Sequence, residues 1–256
     1  MVTFETKVWE QDWKYILTGD YLDKMITNCN YIFEKKNLMI NNVNDREKVA
    51  KYAEIKKNQG IIDNYYFVED YADEVLLHFG IKKEDFLGGY YYSIAELVGI
   101  YLCTTKYLLH FSSDSFISFN NSKVWIEDAI EIFNKRNDII VANPTWNYRF
   151  VEAKEESFET LERFYLGSGF SDQCYLIKTD IFKKKIYEEK NIESNRYPKY
   201  GGELFEKRVD SYMKNNNLFR ITSMDASYIH KNFKKYKSIY CIDFFLKRYT
   251  AKRFKL

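Results

Sequence analysis

The chain has 256 residues, 39 Lys+Arg against 37 Asp+Glu, 46% hydrophobic side chains, 23 Tyr and 20 Phe, but only ten Gly and two Pro. That composition excludes a disordered, collagen-like or low-complexity chain and predicts one large packed domain, or one domain with a tail. Four dispersed cysteines without a C-x-x-C pair argue against a zinc module or a disulfide framework and suit a reducing compartment.

Residues 2–8 read as a strand, and apolar Trp13, Ile16, Leu17, Leu22, Met25 and Ile26 recur at helical intervals, predicting a helix over 11–31. A short apolar strand follows at 36–42. Asp45 is placed to cap a helix running to residue 57, and 65–68 is the next strand. Residues 73–79 and 93–103 are predicted helical, the second preceded by three tyrosines, and 106–111 is a buried strand that stops at Ser112-Ser113-Asp114-Ser115. A helix over 125–134 and a strand over 138–143, closed by Pro144, complete this half. Strands alternating with helices, with short and continuous apolar runs, describe an α/β fold whose sheet is covered on both faces. Ligands of such sheets bind at the carboxyl ends of the strands. The polar groups there are Glu5-Thr6-Lys7, Asn41-Asn42, Glu69-Asp70 and Ser112-Ser113-Asp114-Ser115.

The second half opens with a Glu-rich stretch at 152–162 and a Gly167-Ser168-Gly169 turn, followed by a strand over 173–178 and a helix opened by Thr179. Gly201-Gly202-Glu203 is predicted to start a helix ending near 214. Residues 220–222 and 226–229 are expected as two short strands, the latter ending in His230. The last stretch, 231–256, carries nine basic residues and one acid, a charge of +8 that leaves −6 for the remainder of a +2 chain. Its interleaved aromatics suit peripheral contact with an anionic membrane surface, or equally a helix packed on the domain with solvated lysines. The acidic body disfavours nucleic acid as a partner. No stretch of about 18 uncharged apolar residues occurs and the N-terminus lacks a signal-peptide apolar block, so a cytoplasmic protein is expected.

The segment from Thr104 to Ser115 resembles the helix end, strand and acidic turn of GT-A-type, family-2-like glycosyltransferases, in which the turn is Asp-x-Asp. Here Ser112 stands at the first acidic position and Asp114 at the second. Glu5-Thr6 matches the end of that family's first strand, and Asn41-Asn42 the paired acids that contact the nucleoside. Glu96-Leu97 stands where an Arg-Asn pair is often seen, which leaves Tyr90, Tyr91 and Tyr92 as substitutes. Residues 169–182 look like the acceptor-side strand and helix, and 201–208 like a helix start that carries the catalytic base of inverting members.

The resemblance implies a GT-A (Rossmann-like), mixed and mostly parallel sheet flanked by helices over 1–232, with 1–145 as the nucleotide-binding half, 146–232 as the acceptor-binding half and 233–256 as a basic aromatic tail. It implies a metal-dependent, inverting glycosyltransferase that moves a sugar from a nucleoside-diphosphate donor, UDP-sugar favoured, to a glycan or lipid-linked glycan. Thr6, Asn41, Asn42, Tyr92 and Ser113 would contact the donor, and Asp114 and His230 a Mn2+ or Mg2+ ion. Glu203, with Asp172 as deputy, would take the proton of the acceptor hydroxyl. An imidazole suits manganese better than magnesium, and carboxylate and phosphate oxygens suit either. Two other functions fit the same residues: a degenerate sugar-nucleotide or glycan-binding module, and a nucleotidylyltransferase, whose Gly-rich loop after the first strand is missing from residues 5–13.

Overall fold

The computed structural model describes residues 1–117, 124–197 and 202–230. Residues 233–256, and with them the expected membrane-facing tail, lie outside the described residues. Ten strands form a single mixed sheet among the described residues: β1 (Val2–Val8), β2 (Lys35–Ile40), β3 (Asn64–Phe67), β4 (Tyr107–Phe111), β5 (Ser115–Ile117), β6 (Ile139–Trp146), β7 (Ser157–Leu161), β8 (Phe164–Gly167), β9 (Cys174–Lys178) and β10 (Phe219–His230). Their order is β3-β2-β1-β4-β9-β6-β10-β8-β7, with β5 paired to β10. The first four are mutually parallel, β9 runs antiparallel between β4 and β6, and β6 is parallel to β10. This is the α/β arrangement expected, with the sheet extending through both halves of the chain.

Apolar residues alternate between the two faces of the sheet. One face carries Phe4, Leu38, Leu109 and Leu176 and packs against α1 (Trp13–Leu17), α2 (Tyr21–Thr27), α3 (Arg46–Asn58) and α6 (Trp125–Lys135). The other carries Met39, Leu108 and Ile177 and packs against α4 (Ala72–Phe79), α5 (Tyr90–Leu102), the short α8 (Thr179–Phe182) and α9 (Phe205–Asn215), while α7 (Phe150–Glu155) links β6 to β7. Asp45 caps α3 by accepting the Lys48 N–H at 3.0 Å, which satisfies a helix-end donor. Gly80 ends α4 at φ 73°, the left-handed position a Cβ would strain.

Several elements differ from their predicted extent. The helix expected over 11–31 is two short helices, α1 and α2, interrupted at Thr18-Gly19-Asp20. Both bury their apolar residues in the same cluster, so the periodicity survives the break. The three tyrosines do not precede α5; they form its first turn. Pro144 lies inside β6, beyond the two residues, Val141 and Ala142, that pair with β9, and the partner strand β10 is irregular opposite it between Ser223 and Ser227. There the missing N–H of proline is tolerated. That same irregularity joins the two expected terminal strands into one. The hairpin of β7 and β8 was not foreseen, since the Glu-rich composition hides it. Glu203 lies before α9, not within it, with Leu204 as the N-cap.

One strand has an uncommon inner surface. Val2, Phe4 and Val8 of β1 sit in the first apolar cluster, while Thr3 and Glu5 are equally buried. Room for Glu5 comes from α5, where Gly99 lies so close to its carboxyl that any added Cβ would collide with it. Glu5 Oε1 meets Nδ1 of His110, its register partner on β4, at 3.0 Å. Burial raises the Glu5 carboxyl well above the usual range and lowers the His110 imidazole, so the pair is neutral. His110 therefore belongs to the core, stacked on Tyr175 with ring centroids 4.8 Å apart.

Candidate functional site

Parallel strands β1, β2 and β4 end on one side of the sheet, and antiparallel β9 begins there, as the Ser112 N–H bond to Gln173 O at 2.8 Å shows. The four termini surround a cavity of about 500 Å³. Strand ends supply Lys7, Asn41, Asn42, Ser112, Ser113, Asp114 and His230; the segments flanking them supply Trp9, Gln11, Asp12, Tyr15, Asp172 and Gln173; the first turn of α5 adds Tyr91 and Tyr92.

Asp114 Oδ2 and His230 Nε2 are 3.0 Å apart across this wall, and Ser112 Oγ donates to Asp114 Oδ1 at 3.1 Å. Burial pushes the Asp114 carboxyl up, but the bonds from His230, Ser112 and the backbone outweigh it and hold the group below its ordinary value. Ser113 donates to Asp12, whose other oxygen accepts the Trp9 N–H at 2.8 Å. Burial dominates at Asp12 and raises its carboxyl to about 7. Asn41 donates from its side chain to Tyr91 O at 2.9 Å, tying β2 to α5 and leaving its carbonyl oxygen as an acceptor. Asn42, at φ 49°, ends the strand in a left-handed turn that Asn accommodates.

Of the nine candidate site residues, seven line the cavity: Asn41, Asn42, Tyr92, Ser113, Asp114, Asp172 and His230. Two stand apart from it. Thr6 is fully buried and donates to Phe111 O at 2.8 Å, a tie between β1 and β4. Glu203, just before α9, holds Lys207 at 2.6 Å, one turn further on. Glu69 and Asp70, the remaining strand-end acids, pair with Arg46 at the surface.

Sequence reasoning missed Asp12, the partnership of Lys7 with Glu96, and Glu206. Lys7 Nζ bonds Glu96 Oε1, a carboxylate completely buried on α5. Burial lowers the affinity of Lys7 for its proton, yet the Glu96 and Asp172 charges more than compensate and keep it cationic. Burial likewise raises the Asp172 carboxyl, against the pull of Lys7 and His230. Glu206, in the first turn of α9, accepts the Asp172 backbone N–H; burial, reinforced by the Asp172 charge, pushes its carboxyl up to about 8.

That last shift has a stability signature. The folded protein keeps a proton on Glu206 that the unfolded chain releases near its ordinary value of 4.5. The corresponding stabilisation is complete below that pH and is lost as pH rises through about 8. Glu206→Gln, which cannot ionise, should therefore melt at least about 3 °C above the parent at pH 9, the effect of about 1 kcal/mol in a chain of this size. At pH 5 the two should melt together. Thermal denaturation at both pH values decides, and coincident curves at pH 9 would contradict a buried, proton-bearing Glu206.

No protein-family model matches the sequence, and no curated protein is similar to it in sequence. Solved structures are similar to it in fold. UDP-glucose pyrophosphorylase complexed with UDP-glucose superposes with a TM-score of 0.50 at 10% identity, over 87% of this chain and 90% of that one. The fold is GT-A-like. GalNAc-T7 with UDP, GalNAc and Mn2+ gives 0.49 at 9% identity over 90% of this chain, which spans 43% of that chain, and mouse xyloside xylosyltransferase 1 in its apo form gives 0.45 at 10% over 85% and 84%. Within the GT-A-like sheet the cavity occupies the strand carboxyl ends, where α/β folds place their ligands. No helix among the described residues is long and apolar enough to cross a membrane.

A divalent cation is tested by its donor set. Asp114 and His230 offer one carboxylate and one imidazole at the cavity wall. No group of three or more such side chains reaches metal-ligand spacing among the described residues. The pair fits a Mn2+ or Mg2+ ion that completes its shell with phosphate and water oxygens, the usual habit of ions bound together with a nucleotide.

Proposed function

We propose that the protein is a glycosyltransferase that moves a sugar from a nucleoside-diphosphate donor to a hydroxyl acceptor with inversion. The convergence of the Asp114–His230 pair and Asp172 on one cavity at the strand carboxyl ends supports this reading. Residues 1–145 supply the donor side: Asn41 and Asn42 for hydrogen bonds to base or ribose, Tyr92 and Trp9 for aromatic contact, and Ser113 beside the diphosphate. Residues 146–232 supply the acceptor side. Asp114 and His230 would hold the cation, which when bound neutralises charge developing on the departing diphosphate.

Asp172 is the cavity-facing acid on the acceptor side and takes the role of proton acceptor. The acceptor oxygen forms its bond to the anomeric carbon as the bond from that carbon to the diphosphate oxygen breaks. The hydroxyl proton passes to Asp172, and the diphosphate leaves with the bonding electrons. Glycans or lipid-linked glycans are the acceptors we favour, the second because a +8 tail suits an anionic surface. One observation favours a second reading, a sugar-nucleotide-binding module: Ser112 occupies an acidic position and spends its hydroxyl on Asp114.

A thermal-shift screen of UDP-, GDP-, dTDP- and CMP-sugars, with and without Mn2+, tests the proposal. One donor should raise Tm by about 5 °C at a hundredfold excess over Kd, and only with the cation. Mn2+-dependent release of nucleotide from that donor then separates an enzyme from a binding module. Flat melting curves with every donor would sink both.

A further inference from the structure

Strand β1 presents Glu5 and Lys7 to α5, while Thr3 Oγ1 meets Thr105 Oγ1, in the segment joining α5 to β4, at 2.8 Å. Glu5 fits over Gly99 and pairs with His110; one helical turn earlier on α5, Glu96 meets Lys7 as it leaves the sheet for the cavity. Glu96 is 0% exposed, and its Oε2 has no hydrogen-bond partner among the described residues. The carboxylate is therefore committed to a single ammonium. Apolar residues would pack such a position at no loss of stability, since a buried ion pair spends most of its attraction on desolvation. A pair kept there fixes where a charge points.

The charge balance of the cavity says what that ammonium is for. Asp12, Asp114 and Asp172 all line it, whereas Lys7 and His230 are the only lining side chains among the described residues that can be positive. His230 lies against Asp114. An ammonium has three donors and Glu96 takes one, leaving Lys7 able to bond an anionic oxygen on its cavity side. We propose that Lys7 binds the diphosphate of the donor directly and that Glu96 positions it. This assignment rests on the nucleotide-sugar reading above and adds to it a protein cation contributed from beneath the cavity by β1.

The test compares nucleoside diphosphates with their parent nucleosides, which lack the group Lys7 would hold. Wild-type protein is titrated calorimetrically with UDP, GDP, dTDP and CDP in the presence of Mn2+, and the tightest of these is carried forward with its nucleoside. Lys7→Met alone strands a buried Glu96 charge and can fail to fold, so the double variant Lys7→Met/Glu96→Gln, which removes both charges, is the working protein. Its affinity for the diphosphate should fall at least tenfold while nucleoside affinity stays within twofold. Glu96→Gln alone should weaken the diphosphate about threefold and leave the nucleoside unchanged. A merely structural role for the pair would weaken both ligands equally and overturns the proposal, as does a double variant that binds the diphosphate like wild type. Should wild type bind none of the four, the nucleotide-sugar assignment itself falls, and the role of Lys7 with it.

Discussion

Asp114→Ala is expected to lower sugar transfer about 10²–10³-fold, the usual loss when one preorganised group facing a developing charge is removed. The protein should remain folded. Asp114 sits in a turn whose other bonds are independent of its carboxyl: Ser112 N–H to Gln173 O, Ser115 N–H to Ser112 O, and Ser112 Oγ to Ser115 Oγ at 2.8 Å. Its partner His230 can remain neutral once the carboxylate is gone, so no buried charge is left stranded. Transfer should also lose its response to added Mn2+, because a lone imidazole retains little hold on a hard cation. Steady-state rates with and without excess chelator, set beside a circular-dichroism melt, check each part. Wild-type turnover that persists in chelator would refute the cation-dependent scheme even if Asp114→Ala were inactive.

Asp114 was legible because its signal is local. A buried strand followed by serines and an acid places that acid at a strand carboxyl end whatever the rest of the chain does, and Asn41 and Asn42 come from the same rule, whereas His230 was named through the family resemblance; all four line the cavity. The strands themselves were legible through short apolar runs, and α3 through its Asp45 cap. What sequence hid are contacts between elements far apart in the chain. Lys7 and Glu96 are separated by 89 residues and meet only because α5 packs across β1. The alternation Val2-Thr3-Phe4-Glu5 would ordinarily mean one wet face, yet both faces are buried, since Gly99 leaves space for a neutral Glu5. Glu203 and Glu206 differ by less than a helical turn, and nothing in sequence tells which carboxyl faces the sheet. Where Leu204 ends the preceding loop decides it: Glu206 is turned toward Asp172 and Glu203 toward Lys207.

That difference yields the sharpest mechanistic expectation. Asp172→Asn should reduce kcat/KM about 10²–10⁴-fold, the range for losing a positioned general base, whereas Glu203→Gln should leave it within about threefold of wild type. Asn keeps the size of Asp172 but cannot take a proton as a carboxylate does, and the Asp172 backbone N–H that Glu206 accepts is unaffected by the change. Glu203 is partly buried beside Lys207 and does not line the cavity, so its loss forfeits one partly buried ion pair. The pH dependence separates the two acids further. Burial raises the Asp172 carboxyl, so the ionised base accumulates only as pH climbs through that raised value, and wild-type kcat/KM should increase with pH across it. The residual activity of Asp172→Asn should lack this limb, while Glu203→Gln should retain it. A near-normal Asp172→Asn beside an inactive Glu203→Gln would move the proton-accepting role to Glu203, off the cavity, and require the acceptor to approach from there.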